Sequence, residues 1–168
     1  MEVFIEKILL LGDIHSNMVA LEQILEDVGQ VDRILCTGDI VDYNPWQIES
    51  ITIVQDHLMM SVLGNHDRDS AKGTPTGYNS YAKISCLWTY GQLTQNARNF
   101  LLNLPEKIEF IINTFRIFMC HGSPNNLFDE YIYSPPKTPK EVLRGFLRKT
   151  GAKFFIFGHT HTLRRKLS

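Results

Sequence analysis

Residues 8–39 read ILLLGDIHSNMVALEQILEDVGQVDRILCTGD, and this stretch decides the fold. Ile8 to Leu11 is a short apolar run of the kind that forms a strand buried on both faces. After it, Met18, Leu21, Leu25 and Val28 recur at helical spacing, with Glu22, Glu26 and Asp27 on the opposite face. Ser16 or Asn17 can serve as the helix N-cap, and Gly29 ends the helix. Val31 to Cys36 is a second apolar run, so the stretch is a strand, a crossover helix and a strand. Such a unit implies a parallel pair with a right-handed connection.

The pattern continues outward from this unit. Pro45 opens a helix in which Trp46, Ile48, Ile51 and Val54 share a face, and Leu58 to Leu63 supplies a third strand. Residues 68–78 carry Gly73, Thr74, Pro75, Thr76 and Gly77, which predicts a loop, either a border of the site or a passive connector. Helices are predicted across Ser80 to Tyr90 and from Thr94, as N-cap, through Leu102, before Pro105 breaks the pattern. Glu109 to Ile112 and Phe115 to Cys120, separated by Asn113 and Thr114, predict a hairpin and hence an antiparallel second sheet. Thr138, Pro139 and Glu141 form a capping box for a helix reaching about Thr150, and Lys153 to Phe157 is the last strand. The whole chain, 1–168, reads as one domain.

Five of the apolar runs are each followed at once by a polar motif: GDIH with Asp13 and His15, TGDI with Asp39, GNHD with Asn65, His66 and Asp67, HGSP with His121, and GHTH with His159 and His161. Of the six histidines, only His57 lies outside them. Open α/β sheets bind their ligands at the carboxyl ends of strands, where these motifs fall. Asp13 and His15, two apart on an extended strand end, would project to one side and share a metal, and Asp39 is the natural bridge to a second. Asn65, His121, His159 and His161 provide further nitrogen and oxygen donors. Two dications against these two carboxylates would leave the site net positive, suited to a phosphate group and to acidifying a bound water.

Composition narrows the alternatives. Hydrophobic residues make up 43% and charged residues 21% of the 168-residue chain, as in folded globular proteins. A formal net charge of −1 gives no general attraction to nucleic acid or anionic membrane, and no run approaches the roughly 18 apolar residues of a membrane span. Cys36, Cys86 and Cys120, odd in number and widely spaced, fit reduced thiols of a cytoplasmic protein, with a thiolate ligand at Cys36 or Cys120 as the alternative. Glu2, Glu6 and Lys7 within MEVFIEKILLLGD make the N-terminus a first strand rather than a signal peptide. Arg164, Arg165 and Lys166 read as a solvated strand end.

Taken together, GDIH, GDIVD, GNHD, HGSP and GHTH resemble the signature blocks of the calcineurin-like metallophosphoesterases, and GDIHSNMVALEQILEDV, WTYGQLTQNARNFLLNLP and HGSPNNLFDEYI are similar to their prokaryotic predicted-phosphodiesterase branch. The resemblance implies an α/β fold of two facing mixed β-sheets flanked by helices, a metallophosphoesterase-like β-sandwich. It assigns Asp13, His15, Asp39 and His161 to one divalent metal ion and Asp39, Asn65, His121 and His159 to a second, whether manganese, iron, zinc or nickel. His66 would be the general acid, oriented by Asp67, with Asp42 a more remote neighbour, and Asn17, Tyr43, Arg68 and Tyr78 would flank the substrate. The implied activity is phosphodiesterase or phosphatase hydrolysis of a small phosphoester by a metal-bound hydroxide. Members of the family continue past the GHTH block with further strands, so the resemblance also implies that C-terminal strands are missing. The alternative is a scaffold of the same fold that binds a protein partner, as the retromer subunit does, and a nuclease is the weaker third reading. Oligomeric state is left open.

Overall fold

The computed structural model describes residues 6–162, so the first residues of the N-terminal run and the basic segment Arg164, Arg165 and Lys166 lie outside the described residues. Within them run β1 (Ile8–Leu11), α1 (Met18–Val28), β2 (Arg33–Cys36), α2 (Gln47–Asp56), β3 (Met60–Ser61), α3 (Asn65–Lys72), α4 (Ser80–Gln92), α5 (Gln95–Leu102), β4 (Lys107–Ile112), β5 (Phe115–Cys120), α6 (Lys140–Thr150) and β6 (Phe154–Ile156).

Among the described residues these strands form two sheets of three. In the first, β1, β2 and β3 are parallel, with Ile8 opposite Arg33 and Leu35 opposite Met60. In the second, β4 and β5 make the hairpin, Lys107 opposite Cys120 and Ile112 opposite Phe115, while β6 joins β5 in parallel. The second sheet is therefore mixed.

Side-chain alternation along a strand sorts the layers. In β2, Leu35 faces the second sheet, where it meets Val62 and Met119, with Ile8, Met60, Ile108, Phe110 and Ile156 around them. Its neighbour Cys36 turns the other way, into a core built from Leu21 of α1, Ile51 and Val54 of α2, and Ala97 and Leu101 of α5. In β5, Met119 packs between the sheets, whereas Phe118 and Cys120 point out to Ala152 and Phe155, beside Phe146 of α6. The order is helices, sheet, sheet, helix. Leu35, Val62 and Met119 are fully buried, each contributing about 1.5–3 kcal/mol of transfer free energy.

Local signals explain the boundaries. Asn17 caps α1 by accepting from the Ala20 amide at 3.2 Å, whereas Ser16 turns its hydroxyl to Gln47. Thr94 caps α5 as expected, accepting from Ala97 at 3.2 Å. The capping box expected for α6 does not form. Pro139 occupies the N-cap without a side-chain bond, and the Thr138 hydroxyl accepts instead from the Tyr133 amide at 2.9 Å. The loop expected from residue 68 is also displaced. Residues 65–72 are helix α3, because the Asp67 carboxylate reaches back to the Gly64 amide at 3.1 Å and Gly73, at φ 68°, supplies a left-handed C-cap.

Candidate metal centre

Strands β1, β2, β5 and β6 all end at one rim, and the chain turns sharply there. Asp13, His15, Asp39, His159 and His161 all have positive φ, between 47° and 65°. Asp13 and His15 thus lie on a left-handed turn beyond Leu11, not on the extended strand end expected from their spacing. L-residues hold that conformation only where the surroundings fix it, and such strain gathers at functional sites. Close approach of the loops is part of the cause. A Cβ on Gly38, at φ 90°, would lie 2.6 Å from the Gly64 amide nitrogen, and one on Gly64 would lie 2.1 Å from Asp39 Oδ1.

The turns bring two groups of donor atoms together. Asp13, His15, Asp39 and His161 offer atoms within 4.8 Å of one another, as do Asp39, His121 and His159, so Asp39 is common to both. Asn65 joins the second group through Oδ1, 2.9 Å from His121 Nε2. Tyr78 fixes that amide by accepting from Asn65 Nδ2 at 2.9 Å.

The imidazoles are oriented from behind. His15 Nδ1 donates to the Val41 carbonyl at 3.1 Å and His121 Nδ1 to the Thr37 carbonyl at 2.7 Å. In the neutral rings those bonds place the lone pair on Nε2, the tautomer a metal-binding histidine needs. His15 Nε2 then faces His161 Nε2 at 3.1 Å, while His121 Nε2 faces His159 Nδ1 at 3.1 Å and Asp39 Oδ2 at 3.2 Å. Asp39 Oδ2 and His159 Nε2 are buried without a hydrogen-bond partner. Acceptors crowded together in this way repel unless a proton or a cation lies among them, and the mixed nitrogen and oxygen set suits divalent transition metals. The residues present therefore fit divalent metal ions.

Protonation follows the same arrangement. Burial opposes charge on Asp39, yet the imidazoles around it, His121 foremost, hold its carboxyl well below the usual carboxylate range. Burial likewise disfavours the His121 cation, but the Asp39 charge overcomes it and raises the imidazole to about 9. His159 drops to about 4 through burial and the neighbouring His121. Burial lifts the Cys36 and Cys120 thiols to about 12, and neither joins a donor group, so the thiolate alternative has no support.

The sequence profile of the calcineurin-like phosphoesterases matches residues 6–163. The chain belongs to this family. A metallophosphoesterase structure from Sphaerobacter thermophilus is 33% identical, with a TM-score of 0.74 over 93% of this chain and 60% of that one. A hypothetical protein from Pyrococcus horikoshii, 22% identical, shares the fold with a TM-score of 0.78 over 92% of this chain and 69% of its own. In sequence, an uncharacterized Methanocaldococcus jannaschii protein is 33% identical over 134 residues, 74% of this chain and 55% of that protein. The Escherichia coli serine/threonine-protein phosphatase 2 is 25% identical over 170 residues, 88% of this chain and 77% of the phosphatase. The chain thus spans little more than half the length of the first of these curated relatives.

Around the family's motifs, one expected partnership is corrected. Asp67 makes no hydrogen bond to His66. Its Oδ1 accepts from the Ile40 and Val41 amides at 2.8 and 3.0 Å and its Oδ2 from Gly64, so it ties the GNHD turn to the segment after Asp39. The residue on His66 is Asp42, whose Oδ2 accepts from Nδ1 at 2.6 Å. Burial would lower the His66 imidazole, but this bond and the nearby carboxylates raise it. The signal was present in GDIVD, where a second aspartate follows Asp39 by one turn of loop.

The flanking candidates divide. Tyr78 stacks on His66 at 4.7 Å between ring centroids and Tyr43 meets His15 edge-on at 4.7 Å. Asn17 is spent on the α1 cap, and Arg68 is paired with Asp69 and laid over Phe128. Tyr131, part of HGSPNNLFDEYI but not singled out there, packs on His159 with 4.1 Å between ring centroids.

Proposed function

We propose that this chain hydrolyses a small phosphoester, as a phosphodiesterase or phosphatase, using two divalent cations that share Asp39. The single observation behind this reading is the pair of converging donor groups with one buried carboxylate in common, its Oδ2 lacking a hydrogen-bond partner. Asp13, His15, Asp39 and His161 would hold one ion, and Asp39, Asn65, His121 and His159 the other. When bound, the ions supply Lewis acidity that lowers the pKa of water and offsets phosphoryl charge.

The chain's own groups do the remaining work. Val41 and Thr37 carbonyls fix which nitrogen of His15 and His121 faces inward. His66 holds a proton on Nδ1 against Asp42, and its Nε2 has no hydrogen-bond partner among the described residues. In the imidazolium form Nε2 carries the second proton, available to a departing alkoxide, and the Asp42 carboxylate stabilises that form. Tyr43, Tyr78 and Tyr131 line the approach with ring faces and edges.

The test is metal analysis together with hydrolysis of bis(4-nitrophenyl) phosphate and 4-nitrophenyl phosphate, with and without added manganese. Two bound ions and metal-dependent release of 4-nitrophenol are expected. Two bound ions with no turnover of either ester would favour the scaffold reading.

A further inference from the structure

Helix α4 presents a polar strip to the site from the outside. Thr89 is fully buried and Ser85 half-buried on its inner face, and both hydroxyls donate to Asp42 Oδ1, Thr89 at 3.2 Å. The Tyr43 amide donates to the same oxygen at 2.7 Å and also to Ser85 Oγ at 3.1 Å. On the other side the Asp42 amide donates to Gln47 Oε1 at 2.9 Å. Asp42 itself is fully buried at φ 84°, with Tyr43 after it at φ 64°, two consecutive L-residues in the left-handed region. A backbone held there needs several partners to fix it. The two oxygens of Asp42 are thereby divided. Oδ1 is filled by α4 and the backbone, and Oδ2 is left for His66. The same helix also touches α3, which carries His66, through Ser70 and Cys86 at 3.6 Å.

We propose that Ser85 and Thr89 are positioning residues that act on His66 through Asp42. This rests on the phosphoester-hydrolase reading above. With both hydroxyls removed, only the Tyr43 amide still holds Asp42 Oδ1, so the carboxylate is fixed less firmly and the ring bonded to Oδ2 loses part of its set orientation. Proton delivery tolerates little of that, since a reacting group must be held to about 0.5 Å and 10–20°. Separately, burying an underused carboxylate costs stability wherever it occurs. A test must therefore distinguish an effect on proton delivery from a general loosening.

Leaving-group dependence makes that distinction. The departing phenol of diphenyl phosphate is much more basic than 4-nitrophenol, so its loss depends on a general acid while loss of 4-nitrophenolate scarcely does. With the manganese-loaded protein, the Ser85→Ala, Thr89→Val double variant should change the ratio of kcat for the two diesters, against diphenyl phosphate, on the order of tenfold, with KM unmoved. The Thr89→Ser variant, which keeps the hydroxyl, should keep the wild-type ratio. His66→Gln sets the scale by changing the ratio in the same direction and further. An equal loss on both esters, or a ratio unchanged where His66→Gln alters it, overturns the proposal while leaving the hydrolase reading intact. A wild-type protein inert to both esters overturns the two together. Should the double variant fail to fold, Ser85→Ala alone carries the same comparison.

Discussion

The two halves of the centre share Asp39 but differ in their exposure to solvent. His121 and His159 are buried with Asp39 and braced by Thr37, Asn65 and Tyr78, whereas Asp13 is half-buried and His161 exposed, near the end of the described residues. Burial removes competing water and preorders the donors, so the enclosed half should hold its ion more tightly and the open half should exchange more readily. The open half is also the accessible one, lying beside a cavity of about 590 Å³ lined by Gly12, Asp13, Ile132, Phe157, Gly158, Thr160, His161 and Thr162.

The widest break in that comparison is Asp39→Asn. Because both halves use the residue, both equivalents of manganese should be lost together in metal analysis, with hydrolysis reduced by more than the roughly 100-fold of a change outside the ligands. Retention of either ion at full occupancy would show that the halves are independent. Next, His121→Ala and His161→Ala should separate them by calorimetric titration. The first should abolish the tighter equivalent, and the second should weaken only the looser one, by more than the roughly 100-fold of a change outside the ligands.

A smaller effect concerns pH. His66 is raised above an ordinary histidine, so its protonated form persists to higher pH, and activity that depends on it is lost only as pH climbs through the raised value. Removing the Asp42 charge takes away part of what raises it, leaving Asp39 and Asp67. Asp42→Asn should therefore move the alkaline limb of kcat to lower pH, as read from rate profiles across the range where histidine titrates. The smallest change is Tyr78→Phe, which deletes the acceptor for Asn65 Nδ2 and should weaken only the enclosed site, about three- to tenfold, the value of one hydrogen bond. Equal weakening of both equivalents in titration would mean that Tyr78 braces more than Asn65.

The same contrast explains what could be read from the chain alone. The strand, helix and strand of residues 8–36 were legible because a period of 3.6 between two apolar runs has few other solutions, and the donors were legible because each follows such a run at once. What stayed hidden depends on partners distant in sequence. Asp42 lies 24 residues from His66, and the hydroxyls of Ser85 and Thr89 that fill its other oxygen lie 43 and 47 residues away. Asp67, next in sequence to His66, was the nearer candidate, but its carboxylate is taken by the α3 turn and by two amides after Asp39. Thr138 failed as a cap for a more local reason, its oxygen being claimed by the Tyr133 amide five residues before it. The spacing of Asp13 and His15 gave the right neighbourhood by the wrong geometry, since left-handed turns rather than pleating bring them together.

Two sulfhydryls sit where such a pocket is vulnerable, Cys36 at the end of β2 and Cys120 directly before His121, and both are packed into apolar layers. Buried and with raised thiol pKa values, they are poor ligands for cadmium, mercury or cuprous copper, ions that seek out sulfur and displace lighter occupants. The same packing makes alkylating reagents slow to reach them, so thiol-directed poisons should leave the protein untouched until it unfolds.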